Sequence, residues 1–267
     1  MAEILNKILA AKREEVALAK AREPLQALRD QAADMPAPRD FIGAIRALHS
    51  VGSPAVIAEI KRASPSQGVF RQDFDAAAFA RSYAEHGAAC LSVLTDGPFF
   101  GGSADDLKAA RAACALPVLR KDFMLDPYQI YEARVMGADC ILLIAGAISL
   151  TLMRELEDLA FSLGLAVLVE SHNAVELSLA LQLATPLIGI NNRDLKTFVT
   201  DLGITEALRS QVMEDRIVVT ESGISCREDV LRMQLAGVST YLVGGALMLS
   251  PSPGKALGAL FFPENPR

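Results

Sequence analysis

The chain has 267 residues, 51% of them hydrophobic and 6% aromatic, no tryptophan, and a formal net charge of −6. That length fits one large α/β domain, which buries roughly 75% of its unfolded surface and needs no disulfide or metal staple. Lys and Arg are scattered rather than clustered, which argues against a nucleic-acid or anionic-membrane partner. The four cysteines (Cys90, Cys114, Cys140, Cys226) and three histidines (His49, His86, His172) show no metal-ligand spacing. Cys90 and Cys140 sit in apolar runs and read as reduced core residues. The N-terminus alternates charge with apolar residues and is not a signal peptide. The longest apolar run, 140–148, is about half of what spans a bilayer. A cytoplasmic protein is expected.

In chain order, residues 4–22 read as an amphipathic helix, with Ile4, Leu5, Ile8, Leu9, Val16 and Ala19 at helical spacing. Pro24 permits a second short helix to about residue 29, and 40–48 is helical again after the Pro36/Pro38 break. These first 50 residues contain no strand and are expected to form a cap. From residue 55 the pattern changes. Eight apolar runs read as strands, over 56–61, 89–94, 118–121, 140–144, 166–170, 187–191, 217–221 and 241–243. Helical patterns lie between them, over 74–86, 104–114, 127–136, 150–163, 174–183, 204–212 and 228–235. Gly87, Gly137, Gly164 and Gly237 close several of these before the next strand.

Eight βα units in unbroken alternation predict a (β/α)8 TIM barrel with an N-terminal helical extension capping it. The chain is expected to be a single barrel domain over 1–267, of which 1–50 is the extension. A doubly wound open sheet is the rival, but no GxGxxG follows the first strand.

A parallel barrel brings the C-terminal ends of its strands to one mouth. The first strand delivers Glu59 and Lys61, two apart and so on one face. Taken alone, that pair reads equally well as a structural ion pair. The third strand ends in Lys121, the fifth in Glu170, the sixth in Asn191 followed by Arg193, and the seventh in Glu221-Ser222-Gly223. Such a convergence of ionisable groups is costly to desolvate without purpose. The eighth strand closes on Gly244-Gly245, where barrels commonly hold phosphate, and 246–249 is a candidate short helix there. The glycine-rich loop after the second strand, with Phe99 and Phe100, together with Phe123, suggests an aromatic-lined pocket.

With these residues in place, the chain resembles the indole-3-glycerol phosphate synthase family over nearly its whole length. The motifs that carry the resemblance are ILNKI (4–8), KREEV (12–16), IAEIKRASPS (57–66), LTD (94–96), FFGGS (99–103), LRKDF (119–123), DPYQIYEAR (126–134), GINNRDL (189–195) and ESGI (221–224). The resemblance implies a carboxy-lyase of tryptophan biosynthesis. It closes the ring of 1-(2-carboxyphenylamino)-1-deoxyribulose 5-phosphate with loss of CO2 and water.

It also implies roles. Lys121 matches the general acid, Lys61 the residue holding the substrate's anionic groups, and Glu170 the base that takes the anilino proton. Glu59, Asn191 and Glu221 match residues that hold substrate hydroxyls or the lysines. Ser64, Ser222, Gly223, Gly244 and Gly245 match the phosphate region, with Arg193 nearby, and Phe99, Phe123 and Pro65 would pack on the anthranilate ring. No metal or cofactor is implied, the partner is one small phosphorylated substrate, and a monomer is expected. The sequence departs from the family pattern at Gly245 and Ala246, where a polar or acidic residue and then a serine are commoner, which would remove a side-chain phosphate or capping contact. The Asp96-Gly97-Pro98 entry to its loop is also unusual. No fused isomerase or amidotransferase domain is expected. The rivals are a Schiff-base aldolase using Lys121 as nucleophile, and a barrel that binds a phosphometabolite without turning it over.

Overall fold

The computed structural model describes residues 3–194 and 197–263. Its strands are β1 (Ala55–Ile60), β2 (Ala63–Ser64), β3 (Gly68–Val69), β4 (Cys90–Leu94), β5 (Val118–Lys121), β6 (Cys140–Ile144), β7 (Ala166–Ser171), β8 (Leu187–Asn191), β9 (Ile217–Glu221) and β10 (Thr240–Val243). β2 and β3 form a small antiparallel hairpin; the other eight close a parallel barrel in sequence order, with β10 pairing back onto β1. The expected (β/α)8 barrel is therefore the observed fold.

The period of two along each strand sorts the barrel into layers. Val56, Ala58, Ile60, Leu91, Val93, Ile141, Leu143, Val167 and Val169 face outward into the helix layer. Ala55, Ile57, Cys90, Leu119, Cys140, Leu142, Leu168, Leu187, Val219 and Leu242 face inward and fill the lower barrel. The same alternation, continued two residues further, carries Glu59, Lys121, Glu170, Asn191 and Glu221 inward at the upper rim. Apolar layers below and a charged layer above are thus one pattern read along each strand.

Three helices precede β1: α1 (Glu3–Arg22), α2 (Leu25–Asp34) and α3 (Phe41–Ser50). They hold the barrel at both ends and along one side. Phe41 and Ile45 of α3 are fully buried against Ala55, Ile57, Cys90 and Leu119, plugging the floor. Leu28 of α2 packs with Val16, Ala19 and Tyr128 on the flank. Ile4, Leu5 and Ile8 of α1 reach the mouth. Helix α2 runs five residues past the expected end, because Leu28 and Ala32 are both buried and nothing before the Met35-Pro36 step stops it.

Behind the barrel strands lie α4 (Ala76–Glu85), the one-turn α5 (Gly97–Phe100), α6 (Ala104–Ala113), α7 (Pro127–Met136), α8 (Leu150–Ser162), α9 (Ala174–Ala180), α10 (Gly203–Arg209), α11 (Arg227–Leu235), α12 (Gly245–Met248) and α13 (Pro253–Phe261). Sequence reading did not anticipate the hairpin, α5 or α13. Helix α5 forms where a loop was expected because Asp96 accepts the Phe99 N–H as N-cap and Gly101 closes the turn at φ 65°. Among the described residues, no helix is long and apolar enough to cross a membrane.

Candidate active site

A cavity of about 650 Å³ opens at the C-terminal ends of the strands. At its base Lys121 Nζ lies 3.0 Å from Glu170 Oε2 and 2.5 Å from Glu221 Oε2. Beside this triad, Lys61 Nζ lies 2.5 Å from Glu59 Oε1. Lys61 sits one residue beyond β1 rather than in it, and its ammonium also lies 5.2 Å from the centre of the Phe70 ring. Asn191 bridges the site: its Nδ2 donates to Glu170 Oε1 at 3.1 Å, and its Oδ1 accepts the Arg193 N–H at 3.0 Å.

Glycines supply the space these carboxylates occupy. Gly189 and Gly244 are inward positions of β8 and of the end of β10. A Cβ on Gly189 would come within 2.5 Å of Glu221 Oε1, and one on Gly244 would overlap Glu59 Oε1. Gly244 therefore makes room for Glu59 as well as standing in the expected phosphate region.

Burial and charge act in opposition here. Burial alone would strip the proton from Lys121, but Glu170, Glu221 and Glu59 outweigh it and hold the ammonium well above its ordinary pKa. Burial works against an ionised Glu170, but Lys121, His172 and Asn191 prevail and hold it well below the usual range. Glu221 is pushed up to about 8 by burial, against the pull of Lys121 and with the like charge of Glu170 added. Its Oε1 is buried with no hydrogen-bond partner among the described residues.

The cavity wall brings together most of the residues singled out from sequence: Ser64, Pro65, Phe123, Arg193, Ser222, Gly223, Gly244 and Gly245. Arg193 Nη1 is tied to the Phe198 carbonyl at 3.1 Å. Ser222 and Gly223 both take positive φ, 63° and 91°, immediately after β9. For a serine that is a strained conformation of the sort that collects at functional turns. Phe99 is a correction. It is not part of the wall, since the turn of α5 presents Phe100 instead, and the Phe100 ring packs 6.1 Å from that of Phe123. Leu195, the last residue of the GINNRDL motif, lies outside the described residues.

Sequence reading also missed several residues. His172 stands two places beyond Glu170, on the same side of β7's exit, and its Nε2 lies 3.1 Å from Glu170 Oε1. The i, i+2 spacing was a usable signal. Buried Asn192 donates from Nδ2 to the Thr220 hydroxyl and to the carbonyls of Glu221 and Ser222 at 2.8–3.1 Å, which pins the strained turn. Nothing local marks that role. Ile4, Leu5 and Ile8 of α1 close one side of the cavity, which no strand-end argument could reach.

Comparisons with known proteins bear on the family and the fold. The family model for indole-3-glycerol phosphate synthase matches residues 5–260. A protein named indole-3-glycerol phosphate synthase from Polaromonas sp. strain JS666 is 60% identical over 261 residues, 98% of this chain and 99% of that one. One of the same name from Chromobacterium violaceum is 57% identical over 265 residues, 99% of this chain and all of the other. Among solved structures, the tryptophan synthase alpha subunit of Legionella pneumophila superposes with a TM-score of 0.60 at 13% identity, covering 82% of this chain and 96% of that one. An N-acetylmannosamine-6-phosphate 2-epimerase from Clostridium perfringens gives 0.57 at 15% identity, covering 72% and 86%. Those two likenesses speak for the barrel alone. The sequence relatives and the family model go further: this chain belongs to the indole-3-glycerol phosphate synthase family.

Proposed function

We propose that the cavity converts 1-(2-carboxyphenylamino)-1-deoxyribulose 5-phosphate to indole-3-glycerol phosphate, CO2 and water. The observation that carries the reading is Lys121, an ammonium held between Glu170 and Glu221 at the base of an aromatic-walled cavity. In the first step the ring carbon bearing the carboxylate attacks the C2 carbonyl, and Lys121 gives a proton to the oxygen that becomes the hydroxyl. Loss of CO2 returns the electron pair to the ring. In the second step that hydroxyl leaves as water with an acid's help while Glu170 takes the anilino proton, and transfer of one C1 methylene proton to the nitrogen then restores the N–H and forms the indole double bond. Lys61, with Glu59 behind it, is placed to bind the substrate carboxylate.

The phosphate lies in this reading against Ser64 and the turns bearing Ser222, Gly223, Gly244 and Gly245, with Arg193 alongside. Phe123 and Phe100, with Pro65, take the anthranilate ring. One barrel supplies every residue of this reading. An ammonium kept protonated suits an acid and not an imine-forming nucleophile, which needs the free amine. Borohydride should therefore trap nothing.

The test is a fluorescence time course of purified protein with this substrate in EDTA, beside Lys121→Ala. An indole signal from wild type that falls by about 10²–10⁴ in the variant supports the assignment. Well-folded wild type that gives no signal ends it.

A further inference from the structure

His172 lies between two carboxylates. Its Nδ1 is 3.0 Å from Glu176 Oε2 and its Nε2 is 3.1 Å from Glu170 Oε1, and the side chain is only 9% exposed. Glu176, in the first turn of α9, is itself held in place. Its Oε2 also accepts the His172 backbone N–H at 2.9 Å, and its Oε1 accepts from Asn173 Nδ2 at 2.7 Å. Gly146, just past β6, faces the same carboxylate, and a Cβ there would stand 3.0 Å from Oε1. The loop is therefore shaped around Glu176, which in turn is shaped around His172.

The charged groups acting on the ring are Glu170 from β7 and Glu176 from α9. Burial opposes a charged ring, but these two carboxylates outweigh it and push its pKa up to about 10, so the imidazolium persists at neutral pH. Beyond Glu170 stand Lys121 of β5 and Asn191 of β8.

We propose that His172, anchored by Glu176, is a positioning residue that serves as the second counter-ion of Glu170. It keeps Glu170 ionised, through a charge pair rather than an aligned hydrogen bond, during the interval when Lys121 has given up its proton. The inference rests on the roles proposed above for Lys121 and Glu170. Its logic is one of sequence in time. Once Lys121 is neutral, Glu170 is buried and has lost one of its two cations. A buried carboxylate without a counter-ion rises by several pH units and takes up a proton. It would then be spent as a base before the anilino proton had to be removed. His172 breaks no bond and keeps both ring protons throughout; the proton moves from Lys121 to the C2 oxygen, and later from the anilino nitrogen to Glu170.

Lys121→Met imitates the spent lysine, and His172→Gln keeps a donor within reach but removes the charge. Carbon NMR of the Glu170 carboxyl should find it ionised at pH 7 in Lys121→Met. In Lys121→Met/His172→Gln it should titrate at least about one pH unit higher. In the otherwise wild-type protein, His172→Gln should lower kcat about 10–100-fold with KM within about twofold. Nitrogen NMR of wild type should show both His172 ring nitrogens protonated at pH 7. Glu176→Gln approaches from the other side and should lower the His172 titration midpoint by at least about one unit. Equal Glu170 titration in the paired proteins, a neutral His172 ring at pH 7, or full kcat in folded His172→Gln each overturns the proposal. If wild type makes no product, the synthase reading fails, while the paired titration still decides the counter-ion.

Discussion

Lys12 and Lys121 are both buried lysines among carboxylates, and they do different work. Lys12, on α1, lies 2.9 Å from Asp122, 3.1 Å from Asp96 and 2.7 Å from Glu15. Asp122 is further held by Arg120 at 3.1 Å and the Thr95 hydroxyl at 2.6 Å. This network is closed: each strong charge meets another, and it clamps α1 to the segments that follow β4 and β5. One residue away, Lys121 points to the other face of β5 and meets a cavity. There Glu221 keeps a lone oxygen with no partner among the described residues. Two successive residues of one strand thus serve a structural clamp on one side and a reactive centre on the other. A raised lysine pKa does not tell them apart, because both are raised. Access to the cavity does: Lys121 and Glu221 line it and Lys12 does not.

The difference can be broken in several ways. The largest effect is expected at Lys121→Met, which should reduce turnover by about 10²–10⁴ while the protein keeps a cooperative urea transition. Lys12→Met should do the reverse. Stripping the cation from Asp122 and Asp96 should cost about 3–5 kcal/mol in urea unfolding, and kcat at low temperature should fall far less than for Lys121→Met. If Lys12→Met matched Lys121→Met in lost turnover at unchanged stability, the division between clamp and centre would collapse.

The aromatic wall sharpens the comparison at a smaller scale. Phe123→Ala and Phe100→Ala should each raise KM on the order of tenfold, the cost of one lost apolar contact. Phe99→Ala should stay within about twofold, since that ring is outside the wall. A pH effect follows from His172. Its folded pKa is raised to about 10, against about 6.5 for an unfolded histidine. Its contribution to stability is therefore complete below pH 6.5 and is lost as the pH rises toward 10. Wild type should lose urea stability relative to His172→Gln over that window. The smallest effect on stability is expected at Gly245→Ser: a Cβ there would meet only Gln67 Oε1, at 3.7 Å, so urea unfolding should shift by no more than about 0.5 kcal/mol.

Much of this was legible in the sequence because barrels convert strand order into a ring of side chains. The alternation inward at Ile57 and Glu59, Leu119 and Lys121, or Val219 and Glu221 is visible from the chain, and closure brings those ends together. What was not legible depended on three-dimensional neighbours. Phe99 and Phe100 look equivalent until Asp96 caps a single helical turn and chooses which ring faces the cavity. Asn191 and Asn192 look alike too, yet one contacts Glu170 and the other is buried behind the Ser222 turn. Strand β7 runs one residue longer than expected, to Ser171, and His172 follows it directly, beside Glu170. The extension's division between floor, flank and mouth could not be read from helical periodicity, which reports an apolar face but not its partner.

The first turn of α1 has a practical consequence. Ile4, Leu5 and Ile8 form part of the cavity wall, and Leu5 packs near Phe123. An affinity tag fused ahead of Met1 would begin only a few residues along the chain from Ile4 of that wall. Purified material carrying such a tag should differ in apparent substrate affinity from the same material after the tag is cleaved. Kinetic comparisons among variants are therefore best made on protein tagged elsewhere or not at all.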